Sequence, residues 1–132
     1  MVDPEVAGTA FSVEVSTSYP SVHIAASYGL GEAVVSGRVT SDEWLLHPEN
    51  LSIIKNVCGS KKETCCFKKG ESGIEWVDTP LEKTKKLCMA DSVVNEVGKV
   101  TRNVQKVYKT MYGYEHVDTE FAVTKEGQVR AL

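Results

Sequence analysis

The sequence feature that most constrains the fold is a regular apolar spacing near the C-terminal end of the chain. Six apolar residues recur at intervals of four and three, and they are Val93, Val97, Val100, Val104, Val107 and Met111. Because residues three and four apart share one face of an α-helix, this spacing predicts a long amphipathic helix over about 91–112. Asp91 or Ser92 is the expected N-cap, and Gly113 follows the last turn. Such a helix must pack its apolar stripe on another layer.

That other layer is predicted to be a β-sheet, because the rest of the chain consists of short β-prone segments separated by turn residues. The first two predicted strands, 8–15 and 22–26, are joined by a turn at Tyr19-Pro20. The further predicted strands are 43–46, 51–57, 63–68, 74–77, 117–123 and 128–132. Gly98 interrupts the helix at a cost of about 1 kcal/mol relative to alanine, so we expect it to mark close approach to a strand. The predicted fold is α+β, a largely antiparallel sheet covered by one long helix.

Length and charge indicate one ordinary globular domain and exclude two kinds of partner. The chain has 132 residues, of which 42% are hydrophobic and 25% charged, and its net charge is −3. A chain of this size builds a single core, and a net negative charge does not attract nucleic acid. No stretch reaches the roughly 18 apolar residues of a membrane span, and no secretion signal is recognisable at the N-terminus. We therefore expect a cytoplasmic domain without nucleic-acid or membrane partners.

The densest glycine signal is the segment 27–37, which reads Ser-Tyr-Gly-Leu-Gly-Glu-Ala-Val-Val-Ser-Gly. It lacks the third glycine of the dinucleotide fingerprint and the Gly-Lys-Ser/Thr ending of a Walker loop. The turn formed by Gly29 and Gly31 could nevertheless bring backbone N–H groups and the Glu32 carboxylate to a ligand without side-chain obstruction. From these residues alone, a purely structural turn remains the alternative.

The second candidate site is the acidic pair in Asp118-Thr119-Glu120. In a strand, alternation places Asp118 and Glu120 on one face about 7 Å apart. Two like charges repel unless a cation lies between them, and Mg²⁺ binds through one or two carboxylates together with water and substrate phosphates. The alternative is a solvent-exposed strand face that happens to carry two acids.

Five segments, in this order, resemble the ATP-binding domain of the phosphoenolpyruvate synthase and pyruvate phosphate dikinase family. They are 7–12, 26–37, 40–44, 59–62 and 117–122. The second is a near-verbatim match to the Gly-Leu-Gly-Glu loop of that family, and the last is similar to its Asp-Ile-Glu-Trp-Ala strand. The resemblance covers nearly the whole chain, and the ordered string of segments is more specific than any one of them.

The resemblance implies an ATP-grasp fold, of which this chain would form the C-terminal subdomain. In that family ATP is split to AMP and phosphate while a histidine on a swivelling domain is phosphorylated, and the phosphohistidine then phosphorylates pyruvate. The resemblance implies that Gly29, Gly31 and Glu32 bind ATP, and that Glu120, with Asp118 nearby, holds Mg²⁺ on the ATP phosphates. No residue of this chain is predicted to be catalytic, and pyruvate is an expected partner only in a full-length enzyme.

Departures from the family pattern leave other functions open. Ser41 stands where the family usually has proline, while Thr119 and Phe121 replace isoleucine and tryptophan. The chain is expected to be a single partial domain over 1–132 that lacks the phosphate-binding lysine and arginine and the metal-binding glutamine, and therefore to be inactive alone. Lys61 and Lys62 could lie near the site, but neither is assigned a role.

Two alternatives to the synthase remain. One is a rifampicin phosphotransferase-like ATP-binding fragment, which shares the glycine loop, although the Gly-Ser-Lys-Lys turn at 59–62 favours the synthase. The other is a non-catalytic nucleotide-binding or relic protein.

Overall fold

The structure is a computed structural model that describes residues 5–12, 21–47, 49–68, 70, 72–113 and 118–131. Within these ranges the elements in chain order are β1 (Val6–Phe11), β2 (Val22–Tyr28), α1 (Glu32–Val35), β3 (Asp42–Leu46), β4 (Ile53–Val57), β5 (Glu63–Phe67), β6 (Ile74–Asp78), α2 (Leu81–Thr84), α3 (Asp91–Tyr112), β7 (Asp118–Val123) and β8 (Val129–Ala131). Of the helices described, none combines the length and apolar character needed to cross a membrane.

The strands form two sheets, and every strand pair within them is antiparallel. Six strands make the larger sheet in the order β4-β3-β2-β1-β7-β8, and β5 pairs with β6 in a separate hairpin. The strand β7 comes from the far end of the described chain to pair with β1, so the centre of the larger sheet closes a long-range contact. The prediction of an α+β fold with mostly antiparallel sheets and a long helix is confirmed.

The predicted bounds of three strands need correction, and one of these strands is the second, which extends to Tyr28 instead of ending at 26. The first strand runs over Val6–Phe11 instead of 8–15, and 13–15 and the Tyr19-Pro20 turn lie outside the described residues. The strand expected at 51–57 begins at Ile53 because Leu51 has a φ of 59°, a left-handed conformation that cannot continue an extended strand.

One face of the larger sheet forms the main core together with α3. Alternation along the strands directs Ala10, Ile24, Trp44 and Phe121 to this face, where they cluster with residues of α3 such as Val97. All five are at most 1% exposed, so this layer is fully packed. The opposite face of the sheet carries the alternate residues of each strand.

The long helix spans Asp91–Tyr112, as predicted from the apolar spacing. Its C-cap is Gly113 in the left-handed conformation (φ 77°), also as predicted. The N-cap prediction was wrong: Ala90 takes the extended N-cap position, and no side chain caps the helix. Asp91 instead lies in the first turn, where its negative charge interacts favourably with the positive end of the helix dipole.

Gly98 lies where α3 approaches the sheet most closely. A Cβ atom at this position would come within 2.7 Å of Leu46 Cδ1 and 3.5 Å of Leu51 Cδ2. Leu46 belongs to β3 and is fully buried, so the glycine allows close contact between helix and strand. The expectation drawn from the mid-helix glycine is confirmed.

A buried ion pair between Lys61 and Asp42 lies at the end of this core. The Lys61 Nζ is 2.6 Å from Asp42 Oδ1, and neither side chain is exposed. Asp42 also accepts hydrogen bonds from the backbone N–H groups of Gly59 (2.7 Å) and Cys88 (2.6 Å), while Lys61 donates to the Gly59 carbonyl (2.8 Å). Because both charges have additional hydrogen bonds, the desolvation cost of the pair is offset. The cluster joins β3 to the segments that precede β5 and α3.

Two titratable side chains near this ion pair, Cys88 and Tyr28, have raised pKa values. Burial, reinforced by the Asp42 carboxylate, raises the pKa of the Cys88 thiol above its ordinary value. Burial is also the main cause that raises the pKa of Tyr28 to about 12. Both groups are therefore protonated at neutral pH, and the Lys61 ammonium is balanced by Asp42.

We predict that Lys61→Met lowers the free energy of unfolding by about 3–5 kcal/mol, because it leaves the Asp42 carboxylate buried without its counter-ion. Lys62→Met is the matched control, since this neighbouring lysine is exposed, and its effect should stay within about 0.5 kcal/mol. Urea unfolding followed by circular dichroism measures both variants. Equal stability of the two variants would show that the ion pair contributes nothing to the fold.

Candidate functional site

The candidate site is an open groove on the face of the larger sheet opposite α3. Its volume is about 560 Å³, within the roughly 300–1,000 Å³ of small-molecule sites. The groove is lined by residues of β1, α1 and β7, namely Thr9, Phe11, Val34, Val35, Asp118, Thr119 and Glu120. A ligand of nucleotide size can therefore lie across these three elements.

The register between β1 and β7 positions the two carboxylates in this groove. Glu120 lies opposite Thr9, and Asp118 lies opposite Phe11. Alternation places these four residues on the face away from the core, and both acidic residues are exposed. The predicted placement of Asp118 and Glu120 on one strand face agrees with the structure.

Within the described ranges, the side-chain carboxylates of Asp118 and Glu120 have no hydrogen-bond or ion-pair partner. No lysine or arginine is among the described residues that line the groove, so the lining that the structure describes does not neutralise the mutual repulsion of the two carboxylates. The described residues also hold no group of three or more His, Cys, Asp or Glu that could bind a metal by themselves. Two unpaired carboxylates fit a Mg²⁺ ion, which keeps water and phosphate oxygens as its remaining ligands.

Gly29 fastens the glycine loop to the second sheet. It has a φ of 86°, and a Cβ atom there would come within 2.1 Å of the Cys65 carbonyl oxygen. Leu30 donates its backbone N–H to the same carbonyl at 2.8 Å. Gly29 is buried and does not line the groove. Because β5 approaches this closely, position 29 cannot carry a side chain without a shift of the backbone.

Gly31 and Glu32 lie at the start of α1, next to the groove and outside its lining. Gly31 has a φ of −59°, and a Cβ atom there would be no closer than 3.9 Å to Ala7 Cβ, so the fold itself would accept a side chain. Glu32 is exposed in the first turn of α1. The loop reaches the groove through the other end of α1, where Val34 and Val35 form one wall.

Five groove residues were not predicted as site residues from the sequence, namely Thr9, Phe11, Val34, Val35 and Thr119. Alternation along β1 could have assigned Thr9 and Phe11 to one face, but only the pairing with β7 shows that this face carries the carboxylates. The sequence allowed Lys61 to lie near the site, but in the structure it forms the buried ion pair with Asp42.

The whole chain, residues 1–132, matches the protein family described as pyruvate phosphate dikinase, AMP/ATP-binding domain. The match identifies a nucleotide-binding class of domain, in agreement with an open groove that carries unpaired carboxylates. This chain belongs to the pyruvate phosphate dikinase AMP/ATP-binding domain family, and the resemblance noted in the sequence is confirmed.

Curated relatives agree with this assignment. A probable phosphoenolpyruvate synthase of Methanocaldococcus jannaschii is 32% identical over 127 residues, which cover 95% of this chain and 10% of the relative. An uncharacterized phosphotransferase, YvkC of Bacillus subtilis, is 33% identical over 124 residues, 93% of this chain and 14% of the relative. The phosphoenolpyruvate synthase of Aquifex aeolicus is 28% identical over 137 residues, 98% of this chain and 16% of the relative. The chain thus spans less than a fifth of the length of each of these relatives.

We predict that Gly29→Ala and Gly31→Ala have different effects on stability. Gly29→Ala should cost about 2 kcal/mol or more, because the added methyl group meets a backbone carbonyl and the left-handed φ is unfavourable. Gly31→Ala should change stability by less than about 0.5 kcal/mol. Urea unfolding distinguishes them, and an equal loss in both would contradict the described loop. Folded Gly31→Ala also tests the predicted ATP contact without interference from unfolding.

Proposed function

We propose that this chain binds Mg²⁺-ATP in the groove and forms the ATP-binding portion of a phosphoenolpyruvate synthase-like dikinase. One observation carries the proposal. The exposed carboxylates of Asp118 and Glu120 have no described side-chain partner, and they line the same groove as α1, the helix that follows the glycine loop. The family assignment supports binding of AMP or ATP. We also propose that this chain forms the C-terminal subdomain of an ATP-grasp fold.

In this proposal Glu120, with Asp118, holds a Mg²⁺ ion, which neutralises charge on the ATP phosphates when it is bound. Thr9 lies beside Glu120 and can donate its hydroxyl to a phosphate oxygen. Gly31 leaves space for the close approach of a ligand to the backbone, and the Glu32 carboxylate at the start of α1 can accept hydrogen bonds from it.

The charge of the groove defines what this chain can contribute. ATP carries several negative charges, and the described residues that line the groove include two acidic and no basic side chains. Binding of ATP must therefore depend on the divalent cation, and the basic side chains that stabilise phosphoryl transfer must belong to other parts of a full-length enzyme. We propose that phosphorylation of a histidine and then of pyruvate requires a full-length enzyme, and that this chain is inactive alone. A cytoplasmic location stays a prediction.

The acceptor is the least constrained part of the proposal. The names of several relatives favour phosphoenolpyruvate synthesis, whereas the Bacillus subtilis relative is an uncharacterized phosphotransferase. A rifampicin phosphotransferase-like protein or a non-catalytic nucleotide-binding protein could use the same groove, because its residues would contact only the phosphoryl donor.

Calorimetric titration with Mg²⁺-ATP tests the nucleotide site. We predict that Glu120→Gln weakens binding by about tenfold or more, equivalent to about 1.4 kcal/mol, because it removes a metal-ligand charge and keeps the side-chain shape. Glu126→Gln is the matched control, since Glu126 is exposed in the turn between β7 and β8, and it should bind as the unmodified chain does. Chelation of the divalent cation with EDTA should abolish binding.

Two results would count against the proposal. Equal affinity of the two variants would show that Glu120 does not contribute to the site. ATP binding that persists in EDTA would show that no divalent cation is needed. Formation of phosphoenolpyruvate from ATP and pyruvate by the 132-residue chain would show that it is active alone, against the second part of the proposal.

A further inference from the structure

Arg38 connects the end of the glycine-rich segment to the β5–β6 hairpin. It follows Gly37 directly, and its Nε and Nη2 atoms donate to the two carboxylate oxygens of Glu63 at 3.2 and 3.1 Å. Its guanidinium carbon also lies 4.2 Å from the centroid of the Trp76 ring. A bidentate ion pair stacked on an indole ring fixes the orientation of a guanidinium group better than a single contact does.

This contact is one of two polar attachments that the structure describes between the segments that flank α1 and the strand β5. Before α1, the Leu30 N–H donates to the Cys65 carbonyl; after α1, Arg38 binds Glu63, which is two residues away on the same strand. Cys65 is paired with Trp76 across the hairpin. The four-residue helix is therefore attached to one hairpin at both ends.

A small apolar cluster fills the space between these attachments. Ala33 and Val39 pack with Cys65, and Leu30 and Trp76 contact the same cluster. Ala33 belongs to α1, and the next two residues of that helix form a wall of the groove. The position of the hairpin therefore sets the position of the groove wall.

The exposure of the Arg38–Glu63 pair argues against a mainly global stabilising role. The two side chains are 48% and 34% exposed, and ion pairs in such surroundings contribute little to the free energy of unfolding. The planar guanidinium of Arg38 instead fixes relative positions, because it contacts the Glu63 carboxylate and the Trp76 ring of the hairpin at once.

We propose that Arg38 is a positioning residue, which holds α1 and its groove wall against the β5–β6 hairpin in the geometry that accepts the nucleotide. This inference rests on the proposed function, binding of Mg²⁺-ATP in the groove. Without the Arg38 contacts, the C-terminal end of α1 would have to be ordered by the ligand, and ordering costs affinity.

Hydrogen exchange of the ligand-free chain tests the attachment independently of any nucleotide. Arg38→Gln and Glu63→Gln should each accelerate exchange of the amides in 33–39, while Lys99→Gln, which removes an exposed charge from α3, should not. Unfolding midpoints should remain close to that of the unmodified chain. Unchanged exchange in Arg38→Gln would overturn the inference, whether or not the chain binds nucleotide.

Titration of the same variants with Mg²⁺-ATP tests the consequence for binding. Arg38→Gln and Glu63→Gln should each weaken affinity by about five- to tenfold, and the double variant should be no weaker than either single variant because both act through one contact. Arg38→Lys, which keeps the charge and loses the planar fork, should recover only part of the affinity.

Fluorescence provides a signature that a merely structural role would not produce. Trp44 is buried in the main core, whereas Trp76 is half-buried under Arg38, so Trp76→Phe identifies its emission by difference. Mg²⁺-ATP should change Trp76 emission in the unmodified chain and not in Arg38→Gln. If Arg38→Gln accelerates exchange but neither the unmodified chain nor any variant binds nucleotide, the attachment stands and the proposed function is refuted. If Arg38→Gln keeps the affinity and the emission change of the unmodified chain, the positioning role is refuted.

Discussion

The antiparallel pairing of β1 with β7 is the constraint on which the rest of the structure depends. It places Phe121 opposite Gly8 on the core side and Glu120 opposite Thr9 on the open side. Because side chains alternate with a period of two, a slip of one residue would expose the phenylalanine and bury the carboxylate. The register that completes the core against α3 is therefore the same register that assembles the groove, and the stability of the core protects the geometry of the site.

Carboxylates on the two faces of the sheet have different surroundings. On the core side, Asp42 accepts hydrogen bonds from three donors and its charge is balanced by Lys61. On the open side, Asp118 and Glu120 lack such partners in the described part of the chain. Like charges on one strand face repel each other, and a bound cation would relieve this repulsion. Membership of an AMP/ATP-binding family agrees with a nucleotide as the ligand.

Local patterns in the sequence predicted the parts of the fold that depend on local physics. The period of the apolar residues and Gly113 gave α3 its bounds, and period-two alternation placed Asp118 and Glu120 together. Contacts between distant segments were not predictable in this way. The pairing that brings Thr9 to Glu120 and the burial of Lys61 by a carboxylate nineteen positions earlier leave no local pattern, because a buried lysine and a solvated lysine look alike in sequence.

The central claim is that the nucleotide's metal binds at the carboxylates of β7. Paramagnetic broadening of backbone amide signals by Mn²⁺-ATP tests this directly, since Mn²⁺ accepts the same oxygen ligands as Mg²⁺. The account predicts that broadening is strongest at Asp118–Glu120 and extends to Thr9, Phe11 and the end of α1. Broadening centred on any other surface, or none at all in a folded chain, would contradict it.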